Sequence, residues 1–301
     1  MFCDKNKLKG VGVEMKQINT FSIVAYDPNS GEFGIAVQSK FLACAALVSW
    51  AKGGVGAIAT QSLANLDYGD VGLKLLEKGY SAEKVLETLL ALDDDPSCRQ
   101  VGIVDRNGNA AAYTGDACAP WCGHITGENY TCQGNILVGE ETVIKMSEDF
   151  EKNTHLLLAE RLVSALAAGQ QAGGDSRGQQ AAGLLIVKEN GSYGGYTDKV
   201  IDLRVDDDPK PIDKLSRLLS LHRIYFGETK PEDILNIDQA VCKKMQIALA
   251  HRSFYKGEIH GQYDEATKKA FCDFCHFENF EERYFEGDRI DQVVLDYLCA
   301  V

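Results

Sequence analysis

Residues Thr20 to Lys40, TFSIVAYDPNSGEFGIAVQSK, decide the fold. Side-chain character alternates with a period of two over Thr20 to Asp27 and again over Glu32 to Ser39. Between them, Pro28-Asn29-Ser30-Gly31 has the chemistry of a tight turn. The stretch predicts an amphipathic β-hairpin that opens on a threonine and closes on a lysine. Such a hairpin can set a hydroxyl beside a fixed positive charge, as a threonine hydrolase using its own α-amine as base requires. Threonine is also a common strand residue, and a lysine at a strand end is usually solvated. Spacing alone leaves both readings open.

Outward from the hairpin, Gly53 to Gln61 reads as a buried strand entered through glycines. Val71 to Leu76 forms a short helix stopped at Gly79, and Ser81 caps a second with Val85, Leu86, Leu89 and Leu90 on one face. Val101 to Val104 and Ala110 to Thr114 flank an Asn107-Gly108 turn, and Asn135 to Val138 predicts a further short strand. One long helix is expected from a Ser147 cap to a Gly169 stop. Strands at Ala181 to Lys188 and Val200 to Val205 follow. Hairpins outnumber single crossovers, which fits antiparallel sheets covered by helices, an α+β fold, better than a doubly wound parallel one.

Asp206-Asp207-Asp208-Pro209-Lys210-Pro211 is the natural boundary, since acidic residues and two prolines continue neither strand nor helix. The expected division is a leader over 1–19, a large domain over 20–209 and a small, all-α domain over 210–301. A chain of 301 residues is long enough for two such cores. A net charge of −13 argues against nucleic acid and anionic membrane as partners. No apolar run approaches the length that spans a bilayer, and the first nineteen residues lack the apolar centre of a secretory signal. These features predict a cytoplasmic protein whose ten cysteines are reduced thiols. Cys272-Asp-Phe-Cys275-His276 invites a zinc reading, but no second CxxC completes a site, so neither metal nor cofactor is expected.

Taken in order, TFSIVAYDP, GIAVQSKF, GGVGAIATQSLAN, RQVGIVD, TGDACAPWCGH, AGGDSRGQQAA and IDLRVDDDP resemble the uncharacterised family catalogued as domain of unknown function 1028. The likeness spans about Thr20 to Pro209. That family is regarded as part of the N-terminal-nucleophile (Ntn) hydrolase superfamily. The resemblance implies a four-layer αββα sandwich and puts Thr20 at the nucleophile position. Asn19 precedes Thr20 here, so a free amine requires cleavage of the Asn19–Thr20 link. Gly257 to Thr267 resembles part of a peptidoglycan-binding-like helical domain. On a chain without an export signal, that domain is expected to support the hydrolase domain rather than bind cell wall.

The resemblance implies hydrolysis of a C–N bond in a small amide, ureide or modified peptide. Thr20 would attack, and Lys40 would hold down the pKa of its amine. Gln61, Asn65 and the amides of Gly53 and Gly54 are candidate oxyanion donors. Asp27 could orient Lys40, although an Asx-turn role suits an Asp before Pro-Asn better. Thr114, Trp121 and His124 form a candidate pocket wall. Arg177 could clamp a substrate carboxylate, or it could bind Asp175 and merely shape its loop. The competing reading is a catalytically silent scaffold that binds a small ligand or wall fragment. Relatives of the superfamily commonly associate, so a homodimer is expected.

Overall fold

A computed structural model of the chain describes residues 18–300. The expectations placed on residues 1–17, most of the leader among them, lie outside the described residues. The elements run β1 (Thr20–Asp27), β2 (Glu32–Ser39), α1 (Ala45–Val48), β3 (Ser49–Lys52), β4 (Gly56–Ser62), α2 (Asp67–Glu77), α3 (Ala82–Leu92), β5 (Arg99–Asp105), β6 (Ala110–Thr114), β7 (Gly123–Gly127) and β8 (Tyr130–Gly134). Then come α4 (Glu141–Lys152), α5 (Leu158–Gln171), β9 (Ala181–Val187), β10 (Lys199–Val205) and α6 (Pro211–Phe226). The chain divides into two compact units within α6, between Leu219 and Ser220.

In the first unit, β1 and β2 pair antiparallel with Thr20 opposite Ser39 and Asp27 opposite Glu32, the hairpin expected from the alternation. They lie at the centre of a six-stranded sheet ordered β10-β9-β2-β1-β8-β7, and a second sheet is ordered β3-β4-β5-β6. Side-chain phase sorts the residues of each strand between two cores. Phe21, Ile23 and Ala25 of β1 pack with Val143, Met146 and Phe150 of α4 and Leu158, Leu162 and Leu166 of α5. Val24 points the other way and joins Ile35, Val37, Ala57, Ala59 and Val104 between the sheets. Ile58, Val101 and Ile103 form a third core with Tyr68 and Leu76 of α2 and Val85 and Leu89 of α3. The result is a four-layer sandwich, helices outside and two antiparallel sheets within.

Several elements differ from expectation. The single helix from Ser147 to Gly169 is two helices. Asn153-Thr154-His155, three poor helix formers, interrupt it. Ser147 lies inside α4 with its Oγ 2.6 Å from the Tyr130 hydroxyl, and the second helix starts where Glu160 accepts from the Leu157 amide at 3.2 Å. Asn135 to Val138 forms no strand, because Ile136 takes φ +55°; only Leu137 keeps a bridge, to Asp175. Strands β3, β7 and β8 lie outside the strands expected from the sequence. Among the described residues eight cysteines are free thiols, whereas Cys98 is disulfide-bonded, against the expectation for it.

Asp93 and Arg99 are a buried ion pair at the end of α3, with side chains only 4 and 5% exposed. Burial alone would raise the Asp93 pKa. Hydrogen bonds from Arg99, Asn65 and the Asp95 amide outweigh it and hold the carboxyl well below its usual value. A depressed carboxyl pKa stabilises the fold fully above the unfolded value of about 3.9, and that contribution fades as pH falls toward the folded value. Asp93→Asn is therefore expected to lower stability at pH 7 and to flatten the acid limb below about pH 4. Urea melts from pH 7 to 2 check this; parallel acid limbs in both proteins would refute it.

The second unit adds β11 (Ile234–Asn236), α7 (Gln239–His251), α8 (Glu265–Glu278), β12 (Arg289–Asp291) and α9 (Gln292–Cys299). Asp238, Asp264 and Asp291 cap α7, α8 and α9 through their carboxylates. Leu249, Phe271, Phe274, Phe280 and Val294 fill its core. It is a helical unit, but β11 and β12 pair as a two-stranded ribbon, so it is not all-α.

Candidate active site

Between the sheets, the same alternation that buries Val24, Ala59 and Val104 carries Ser22, Gln61, Gln100 and Gln133 into the interior. All four are fully buried. Polar groups there need partners, and they supply one another. Ser22 Oγ donates to Gln61 Oε1 at 2.7 Å, and Gln133 Nε2 donates to Ser22 Oγ at 2.7 Å. Gln61 Nε2 reaches Gln100 Oε1 at 2.8 Å and the Thr20 carbonyl at 3.2 Å. Asn135 Nδ2 adds a second donor to Gln100 Oε1 at 2.8 Å. Gly102 makes room for this network, since a Cβ there would stand 2.2 Å from Gln133 Oε1.

Thr20 sits at the edge of the network, fully buried. Its hydroxyl donates to the Ile18 carbonyl at 2.9 Å, and its own carbonyl also accepts from the Asn135 amide at 3.1 Å. The segment before it is ordered. Ile18 bridges Ser62 antiparallel, and Asn19 is 4% exposed. The Asn19 carbonyl, half of the peptide link before Thr20, accepts two side-chain donors. Ser39 Oγ lies at 2.5 Å and Arg177 Nη2 at 2.9 Å.

Arg177 is held for that contact by Asp175, which accepts from its Nε at 3.0 Å and its Nη2 at 2.6 Å. The Asp175 side chain is itself fully buried and also accepts from the Lys40 amide at 3.1 Å. Arg177 thus pairs with Asp175 within its loop and also presents a donor to the Asn19 carbonyl. Lys40 follows the register partner of Thr20 in the chain, but its Nζ bonds the Gln179 carbonyl at 3.1 Å. The cation in contact with the Asn19–Thr20 link is Arg177.

His124 reaches the network at second hand. Gln100 Nε2 donates to Thr114 Oγ1 at 2.9 Å, and Thr114 Oγ1 lies 2.9 Å from His124 Nδ1. Partial desolvation of the ring lowers the His124 pKa, which favours the neutral imidazole. Trp121 packs against the core beneath α4 and α5, and its carbonyl accepts from the Leu137 amide at 3.0 Å.

Other candidates lie apart. Asn65 gives its amide to Asp93 at 2.9 Å and its oxygen to the Asp67 amide. Gly53 donates to Asp198 at the end of β4 remote from Gln61. Gly54, with φ +68°, belongs to the same turn. Asp27 stands seven residues along β1 from Thr20, where it accepts from the Asn29 amide and the Ser30 hydroxyl. That is the Asx-turn role, and it leaves Asp27 far from Lys40. Sequence reasoning missed Ser22, Ser39, Gln100, Gln133 and Asn135. Glutamines at inward-phase positions of otherwise apolar strands were the available signal. Among the described residues no group of acidic, His or Cys side chains could hold a metal ion, and no helix is long and apolar enough to cross a membrane.

Known proteins bear on the same region. No curated protein matches the chain. Among solved structures, protein SPO2555 from Silicibacter pomeroyi, assigned to DUF1028, is 28% identical, with a TM-score of 0.63 over 69% of this chain and 88% of its own. Anbu, an ancestral β-subunit from Yersinia bercovieri, is 12% identical with a TM-score of 0.30 over 67% of this chain and 96% of its own. A peptidoglycan-binding-like domain model matches residues 225–298. The family model of unknown function, DUF1028, matches residues 20–215 and takes in Thr20, Gln61, Gln100, Asp175 and Arg177, so the chain belongs to the DUF1028 family.

Proposed function

We propose that the chain is an Ntn-type hydrolase of a C–N bond, with Thr20 as its nucleophile once the residues before it are removed. The observation that carries this reading is the Asn19 carbonyl held between Ser39 Oγ and Arg177 Nη2. Two fixed donors on one carbonyl oxygen are what a tetrahedral oxyanion needs, and one such donor is worth about 3–4 kcal/mol. With the leader in place, that carbonyl is the one Thr20 Oγ1 must attack to release it. The hydroxyl has to turn from the Ile18 carbonyl for this. Attack on the Asn19 carbon breaks its bond to the Thr20 nitrogen, which takes up the hydroxyl proton and leaves as the free amine; water then cleaves the resulting ester to the Asn19 carboxylate and the Thr20 hydroxyl. Once the leader has gone, a substrate acyl group takes the position of Asn19. The freed amine then accepts the hydroxyl proton as general base. Gln61 and the Asn135 amide hold the Thr20 carbonyl, and so the reacting residue, in place.

The second reading, a silent scaffold that binds a ligand or wall fragment, is favoured by one observation. In the uncut chain Thr20 is fully buried and its hydroxyl already has a partner. A chain engineered to begin at Thr20, profiled against chromogenic amides, ureides and short peptides, separates the two. The enzyme reading expects turnover that a stably uncut chain lacks. No turnover across the panel, with the fold intact, favours the scaffold. A cytoplasmic compartment, a small amide-type substrate and a homodimer belong to the same proposal, and sedimentation of the purified chain tests the last.

A further inference from the structure

A cavity of about 400 Å³ opens at the turn end of the β1–β2 hairpin, seven residues along β1 from Thr20. Its wall is built from the turn (Asp27), the β7–β8 turn (Glu128), α4 (Phe150, Glu151), α5 (Arg161) and Tyr130. The volume lies in the range that small-molecule sites occupy. Arg161 is its central feature. The guanidinium stacks over the Phe150 ring at 3.9 Å, and Nη2 donates to the Phe150 carbonyl at 2.9 Å. Nε is buried and has no hydrogen-bond partner. Nε is closed off from the cavity, so a ligand meets the guanidinium at its Nη edge, where the Phe150 carbonyl takes one of the donors.

The neighbouring carboxylates do not pair with the guanidinium. Asp27 serves the Asn29 amide and the Ser30 hydroxyl. Glu151 accepts from the Tyr130 hydroxyl at 2.6 Å. Glu128 is exposed at the rim. The cavity therefore presents one planar cation at its wall and negative charge around it. A ligand with a carboxylate at one end and an ammonium at the other satisfies both, the carboxylate on the Arg161 fork and the ammonium toward Glu128 and Glu151.

We propose that this cavity binds a small zwitterion of dipeptide size or less, at a site separate from Thr20. The test is calorimetric titration of the full chain with L-alanyl-L-alanine, its N-acetyl form and its C-terminal amide. The zwitterion is expected to bind saturably in the millimolar range or tighter. Both capped forms are expected to bind at least about tenfold more weakly, since each loses one charge-assisted contact. Arg161→Gln should cost a similar factor. Arg161→Lys, which keeps charge without the fork, should fall between and guards against a folding artefact. Thr20→Ala should leave the affinity unchanged. No saturable binding of the dipeptide, equal binding of the capped forms, or binding lost in Thr20→Ala but kept in Arg161→Gln would overturn the assignment. Because Thr20 is not involved, failure here leaves the hydrolase reading standing, and the converse holds too.

Discussion

Arg177→Met is expected to slow release of the residues before Thr20 by about 10²–10³-fold, with the fold retained. The side chain is one-third exposed, so methionine opens no core cavity; the buried Asp175 carboxylate keeps only the Lys40 and Arg177 amides as donors, which lowers stability without removing the fold. It removes the Nη2 donor from the Asn19 carbonyl and the only charge in contact with it among the described residues. Ser39→Ala takes away the second donor and should cost less, since a neutral hydroxyl stabilises an oxyanion less than a guanidinium does. Thr20→Ala should abolish release altogether. Intact-mass measurements over time on freshly translated chains read all three. If Arg177→Met matches the wild type in rate, the donor pair has no part in the chemistry and the case for it collapses.

Gln100→Leu should destabilise the first unit by about 3–5 kcal/mol. Leucine is close in volume, so packing is not the issue. Gln100 Oε1 accepts from Gln61 and Asn135. Its Nε2 donates to Thr114 and to the Gly123 and Gly134 carbonyls. A leucine strands these partners, of which Gln61 and Asn135 are fully buried between the sheets, and each buried polar group left unpaired costs about 1–3 kcal/mol. Compensating rearrangement keeps the total below the plain sum. The melting temperature should fall by on the order of 10 °C. Calorimetry decides. A drop of a degree or two would mean that the glutamines are interchangeable with apolar filling.

This network also explains how far the sequence could be read. Alternation in β1 and β2 made the hairpin and its register legible, because one buried face leaves a single way to pair. The antiparallel, helix-covered sheets followed from the hairpins. The split between α4 and α5 was hidden by apolar residues that keep helical spacing across Asn153 to Leu157. β7 was hidden because Gly123 to Gly127 looks like loop, and only its pairing with β8 makes it a strand.

At the site, Thr20, Gln61 and Arg177 are legible from the residues and the family likeness. The structure joins them through partners from β2, β5 and β8. Those partners are remote in sequence, so spacing could not reveal them. Lys40 follows the end of the strand paired with Thr20. One step in a strand reverses side-chain direction, and it is Ser39, the true register partner, that reaches the Asn19 carbonyl. A glutamine inside an apolar strand gives no sign in one sequence of whether it faces a partner or a neighbouring loop.

The most direct measurement is the mass of the amino-terminal peptide from the purified, natively folded chain. A chain that starts with the amine of residue 20, and goes on starting there when purified with proteases inhibited, is what the account predicts. A Thr20→Ala chain should keep residue 19 attached. If the native chain also keeps it, while the same preparation hydrolyses amides, then the amine is not the base and the account is contradicted.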